Sequence, residues 1–300
     1  MLEIRRLDLK TLPETEQTAF AYMSGSYTQY TEVIPHVTIG AYWDDKPAGI
    51  LAASYIPIAK KGEVELLFVL EPYRRRGIAL RMLLALEEIL RDELDCSVLV
   101  LSYSGDNPDK IPLEHVLRLH NWRQPTLLLR RYYYNVQDFH ASWFEKPRLL
   151  PPDVSLHSWS ELKDVEKHRL EVQAAQGAYP YAVYPYGKGG LPEPINSVFL
   201  RHQGNVIGWL ATHRQDAETI VYSGLYVHLD YRSKGYSMLL MAEGIKRQKD
   251  SPVPTAMFEL NATQVSEIWR RFVAGSLAPF AFKQTEVFTT WKELRENLGE

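Results

Sequence analysis

Two stretches decide the fold: "EPYRRRGIALRMLL" (Glu71–Leu84) and "LDYRSKGYSMLL" (Leu229–Leu240). They share Tyr, Arg and Gly at one spacing, and Arg74 and Arg232 lie 158 residues apart. Each follows an apolar run and leads into a helical pattern. After Gly77, Ala79, Leu83, Leu86 and Leu90 recur on one face; after Gly235, Met238, Met241, Ala242 and Ile245 repeat the stripe. The run before the first turn, "VELLFVL", is apolar apart from Glu65, as a central strand requires.

The echo extends upstream. "HVTIGAYWDDKPAGILAASY" reads as two strands joined by a turn at Asp44-Asp45-Lys46-Pro47, and "NSVFLRHQGNVIGWLATHR" as its counterpart, turning at Gln203-Gly204-Asn205. Their inner glycines, Gly49 and Gly208, are 159 apart. Two features at nearly one offset predict a duplicated, diverged domain. The proline-rich seam "FEKPRLLPPD" (Phe144–Asp153) keeps the backbone extended. It places the expected domains at 1–148 and 149–300. In each, strand, helix, hairpin, strand, turn, helix, strand, helix and strand follow in turn, which predicts a mixed α/β (α+β) sheet covered by helices.

Bulk numbers exclude several classes. The 300 residues suit two domains, and a net charge of −3 offers no field for nucleic acid. The single cysteine, Cys96, sits in a strand-like run and is expected to be a buried, inert thiol. No apolar segment approaches the roughly 20 residues of a membrane span. With no secretory pattern in "MLEIRRLDLK", a cytoplasmic protein is the expectation. HExxH, paired Cys/His spacing, G-x-S-x-G, GxGxxG and P-loop patterns are all missing, so no metal is expected.

A strand-to-helix turn leaves free N–H groups and partial positive charge at the helix start, a natural seat for phosphate. Glycine lets the ligand approach, and Arg75, Arg76 and Lys234 add cationic reach. The plain alternative is a structural turn with solvated arginines; the second copy favours a ligand.

Arg74-Arg75-Arg76-Gly77-Ile78-Ala79 resembles the R/Q-x-x-G-x-G/A signature of the GCN5-related N-acetyltransferases, the GNAT superfamily. Arg232-Ser233-Lys234-Gly235-Tyr236-Ser237 resembles it with Ser237 in place of Gly or Ala. The resemblance covers nearly the whole chain as two tandem domains. It implies that these turns hold the pyrophosphate of acetyl-CoA, or another acyl-CoA. It also implies that the preceding strands, at Leu67, Phe68 and Val69 and at Leu225, Tyr226 and Val227, contact the pantetheine arm and thioester. Asn261, and more loosely Asn107, match an asparagine that touches CoA in the family.

Acyl transfer to an amine needs a proton acceptor. Glu65 is the candidate base; its other reading is a strand-end carboxylate paired with an arginine. Its counterpart is Ser223, which is no base at neutral pH, beside Tyr222. The tyrosine that many members use as acid would fall near Leu117, and near Trp269 or Phe272; no tyrosine stands there, and His120 is the nearest titratable group. The loop "GAYPYAVYPYGKGG" (Gly177–Gly190), and "SGSYTQYTEVIP" in the first half, lie where the family shapes its acceptor site. The expected function is N-acyltransfer from acetyl-CoA to a primary amine, on a small molecule, peptide or protein, with catalysis in the first half. The rival is a non-catalytic acyl-CoA sensor or scaffold.

Overall fold

The computed structural model describes residues 1–24, 35–146, 148–187, 190–262 and 266–295. Along the chain run β1 (Leu2–Leu7), α1 (Glu14–Ser24), β2 (His36–Trp43), β3 (Lys46–Ile56), β4 (Lys61–Val69), α2 (Ile78–Glu88), β5 (Val98–Ser104), α3 (Lys110–Leu119) and β6 (Thr126–Asn135). There follow β7 (Val154–Ser158), α4 (Asp164–Ala175), β8 (Val198–His202), β9 (Asn205–Arg214), β10 (Thr219–Val227), α5 (Tyr236–Lys249), β11 (Thr255–Asn261), α6 (Glu267–Ser276) and β12 (Lys283–Glu293). The mixed α/β architecture expected from the sequence is present, with its element order repeated.

The chain forms two compact units: Met1–Leu128 with the segment from Val287 onward, and Leu129–Glu286. They depart from a division at 148 in one respect. The first unit's strands run β1-β2-β3-β4-β5-β12, and the second's run β7-β8-β9-β10-β11-β6. The last strand of each sequence half therefore completes the other unit's sheet. Side chains specify this pairing. Phe288 of β12 stacks on its β5 partner Tyr103, and Arg131 of β6 bonds its β11 partner Glu259 at 3.0 Å. Lys292 reaches the buried Glu87 of α2 at 2.6 Å.

Within each unit the pairs are antiparallel except β4 with β5 and β10 with β11, which are parallel. Both hairpins turn on two left-handed residues, Asp44 and Asp45 (φ 48° and 61°) and Gln203 and Gly204 (φ 47° and 79°). That hand matches the twist of the strands. Gly49 and Gly208 also have a steric reason. A Cβ on either would lie 2.8 Å from a carbonyl of the next strand, that of Phe68 or Tyr226.

Two cores flank the first sheet. Met82, Leu83 and Leu86 of α2 pack with Ile39, Leu51 and Leu99 on one face, and Phe20 and Met23 of α1 pack with Tyr42 and Ile50 on the other. Each such buried side chain contributes roughly 1.5–3 kcal/mol. Ala79, expected on the core stripe, instead lines a cavity. In α5 the buried face includes Gly244 and Gln248, which the apolar stripe does not show. Gln248 is tolerated because Tyr222 and Asn196 donate to its Oε1 at 2.9 and 3.2 Å, while its Nε2 donates to Val253 and Thr255 carbonyls. Cys96 is fully buried, donates to the Lys60 and Val98 carbonyls, and has its thiol pushed up by burial.

Candidate active site

β4 and β5 pair only from Lys61↔Val98 to Val64↔Leu101. Beyond that they diverge, and a cavity of about 570 Å³ opens between them. Its walls come from the free halves of both strands, from the turn at Gly77, and from Pro112, Leu113 and Val116 of α3. Divergence begins at a bulge. Ala52 pairs with Leu66 and Ala53 with Val64, which leaves Glu65 as the extra residue.

Glu65 thus sits at a break in the ladder of the central strand. Its side chain retains 28% exposure, lines the cavity, and has Oε2 3.6 Å from His36 Nε2. A histidine thus faces it across the sheet.

At the far end of β4, Leu70 N–H bonds back to Ala48 of β3, while the Val69 carbonyl accepts Arg74 Nε at 2.9 Å. Strand alternation then turns the N–H groups of Leu67 and Val69 away from β3, towards the cavity, and the Phe68 backbone towards β3. Phe68 lines the cavity nonetheless.

The turn itself is coiled by two left-handed residues, Arg75 (φ 61°) and Gly77 (φ 75°). Gly77 is the N-cap of α2, no side chain caps that helix, and a Cβ there would meet nothing within 4 Å. The helix therefore presents its first-turn N–H groups, from Ile78 and Ala79 on, beside open space at the cavity mouth. The three arginines divide their work. Arg74 ties Val69 to Asp109, 3.2 Å away; Arg76 lies over the Trp43 ring at 4.7 Å; Arg75 lines the cavity. Asn107 also lines it, and its Oδ1 accepts from the Asp109 N–H at 2.9 Å, which shapes the loop before α3.

Two groups escaped sequence reasoning. Tyr103 reaches the cavity from β5, with its hydroxyl donating to Glu114 Oε1 at 2.6 Å and its phenol pushed up by burial and by that carboxylate. His36 is the other. The signal for Tyr103 was its odd-numbered alternation with Leu99 and Leu101. Leu117, near the position where the resemblance implied a tyrosine, is buried in the core, and His120 caps the end of α3.

The second unit repeats this frame with different contents. Ser223 is the extra residue of the β10 bulge, between Tyr222↔Thr212 and Gly224↔Ala211. Its hydroxyl lies 2.6 Å from His213 Nδ1. Gly235 (φ 80°) caps α5 and Ser233 (φ 65°) matches Arg75. Arg232 Nε reaches the Val227 carbonyl at 3.3 Å, Tyr226 is buried, and Lys234 lies over Tyr231. Ser237 falls in the first turn of α5.

The two asparagines do not correspond. Asn261 ends β11 and answers Ser104, whereas Asn107 belongs to a loop. Where Pro112 lines the first cavity, the second unit has Trp269, which stacks on Phe272 and approaches Phe258. Part of the aromatic loop packs inward, while Tyr181 stays exposed: the Val183 carbonyl accepts Trp209 Nε1 at 2.9 Å and lies 3.1 Å from a Cβ built on Gly224. Its first-half counterpart lies almost wholly outside the described residues. Among the described residues no helix is long and apolar enough to cross a membrane.

A family model described as "Acetyltransferase (GNAT) family" matches residues 1–113, which hold the cavity strands and the Gly77 turn. A comparison with curated protein sequences finds no match. Among solved structures, a tandem GNAT protein from the clavulanic acid biosynthesis pathway is 15% identical, at a TM-score of 0.71 over 98% of this chain and 99% of that one. A GCN5-related glucosamine N-acetyltransferase region of a fungal multi-domain GH3 β-N-acetylglucosaminidase is 14% identical at a TM-score of 0.68, over 97% of this chain and 38% of that one. A GCN5-related N-acetyltransferase from Sphaerobacter thermophilus is 12% identical at a TM-score of 0.59, over 98% and 96%. At these identities the likeness is one of fold. The chain is a tandem GNAT-fold protein whose residues 1–113 match the acetyltransferase family of that name.

Proposed function

We propose that the first unit transfers an acetyl or other acyl group from acyl-CoA to a primary amine by direct attack of nitrogen on the thioester. One observation carries the reading: the cavity between the diverging strands ends at an uncapped helix start where Gly77 opens onto empty space. Ile78, Ala79 and Arg75 suit the pyrophosphate, and Arg74 and Asn107 hold the turn and the loop around it. N–H groups of Leu67 and Val69 suit the pantetheine arm and the developing oxyanion. Glu65, at the bulge, takes the proton of the attacking nitrogen. No tyrosine on α3 is available to protonate the thiolate, which leaves on the strength of its own acidity, with a thiol pKa near 8.5. A small-molecule or peptide amine as acceptor and a cytoplasmic setting belong to the same reading.

For the second unit the favoured reading is binding or structure without turnover. Ser223 stands at the base position, and Trp269 and Val183 pack around the corresponding strands. Calorimetric titration with acetyl-CoA tests both assignments. Binding lost in Gly77→Glu and kept in Gly235→Glu supports catalysis in the first unit. Thiol release from acetyl-CoA with a pool of primary amines then separates transferase from sensor. Binding with silence across acyl chain lengths would favour the sensor.

A further inference from the structure

His36 opens β2 and alternates with Thr38 and Gly40, whose Cβ position points at Phe20 of α1. It thus lies on the α1 side of the sheet. Its side chain is only 10% exposed, and Nε2 makes no hydrogen bond, yet that atom stands 3.6 Å from Glu65 Oε2. The gap exceeds a hydrogen bond. A buried imidazole nitrogen without a hydrogen bond costs folding free energy, and a catalytic role is one reason to retain it.

Proton accounting supplies the reason, on the acyltransfer reading given above. An ammonium acceptor and a thioester yield an amide, a thiolate and two protons. The nitrogen loses one before attack and one after the C–N bond forms, and the C–S electron pair leaves with sulfur. An acid on α3 would return one of those protons to the thiolate, but Leu117 occupies its place. One carboxylate can hold only one proton.

We infer that His36 and Glu65 form a two-site proton acceptor, in which Glu65 takes each proton from nitrogen and passes the first to His36. The carboxylate is thereby restored before the second proton must leave. His36 acts through Glu65 and positions its charge. Among the described residues, other charged groups on this side have partners too. Glu63 is held by Lys61 at 2.5 Å, Glu16 accepts from Tyr42, and Arg5 lies over the Tyr42 ring. Opposite His36 on β3 stands the neutral Ser54. The second unit places a histidine on its own bulge residue as well, His213 on Ser223, although from the strand equivalent to β3.

The test begins with NMR spectra of the His36 imidazole in the intact protein, its resonance identified by loss in His36→Gln. Glu65→Gln is expected to displace that resonance, because the carboxylate facing Nε2 is replaced by a neutral amide. A His36 resonance indifferent to Glu65 overturns the pair, and this measurement needs no acceptor. Thiol release is then followed with benzylamine, protonated at neutral pH, and aniline, which is not. His36→Gln should reduce kcat/KM for benzylamine about tenfold more than for aniline, since only the former sheds two protons. Equal losses, or superimposable pH profiles, would sink the relay. Failure of the unaltered chain to bind acetyl-CoA would remove the underlying acyltransfer reading, an outcome distinct from either.

Discussion

Gly77 illustrates how much one residue can carry. Its φ of 75° is open to glycine and costs an L-residue roughly 1–2 kcal/mol, while the space before it is empty. Gly77→Ala is therefore expected to lower stability by about 1–2 kcal/mol and to weaken acetyl-CoA binding; Gly77→Glu should abolish binding by adding charge as well. Denaturant unfolding and calorimetry on the same samples separate the two effects. Glu166 makes a different point. Burial pushes its carboxyl up, but Arg201, at 2.9 Å, and the Lys163 N–H outweigh burial and hold it below the usual range. Its folded-state value lies below the unfolded one, so its stabilisation is complete above the unfolded value and fades as pH falls through the folded value. Glu166→Gln should cost about 2 kcal/mol near pH 7 and progressively less in acid. A constant difference across that range would contradict the assignment.

Strand β4 shows where sequence was legible and where it was not. Its apolar run marked it as central, and the glycine after it marked the helix start, because both depend on local residue type. The bulge at Glu65 left no such mark. It is a property of register against β3, where two residues oppose one, and no single position announces it. The same holds for His36, which meets Glu65 only through β2 and β3 pairing, and for Tyr103, whose cavity exposure depends on where β5 leaves β4. Gly49 was legible as a repeated glycine, but its purpose was not. Adding a Cβ would press on the Phe68 carbonyl at 2.8 Å and force β3 from β4. Gly49→Ala is expected to destabilise by about 1–3 kcal/mol and to weaken acetyl-CoA binding, because the cavity wall moves with β4. Unchanged binding in a folded variant would show that the wall is set elsewhere.

Duplication was readable along the whole chain because its two turns and two hairpins keep nearly one offset. The exchange of last strands was not, since β6 and β12 each follow a helix in the same way and only long-range pairing tells them apart. The isolated fragment 1–148 retains β6 but lacks β12, so β5 has no outer neighbour and Phe288 is missing from Tyr103. That fragment is expected to aggregate or remain partly unfolded, whereas residues 1–124 linked to 287–295 should fold; circular dichroism and gel filtration would tell them apart. The same connection sets an order of events during synthesis. Ser104 ends β5, and the pairing of β12 that covers it begins at Val287. At roughly 5–20 residues per second, translation leaves an interval of about 10–40 s between them. Throughout it the open strand edge can pair with another nascent chain. Of the two units, the one whose synthesis begins earlier is thus the last to be finished.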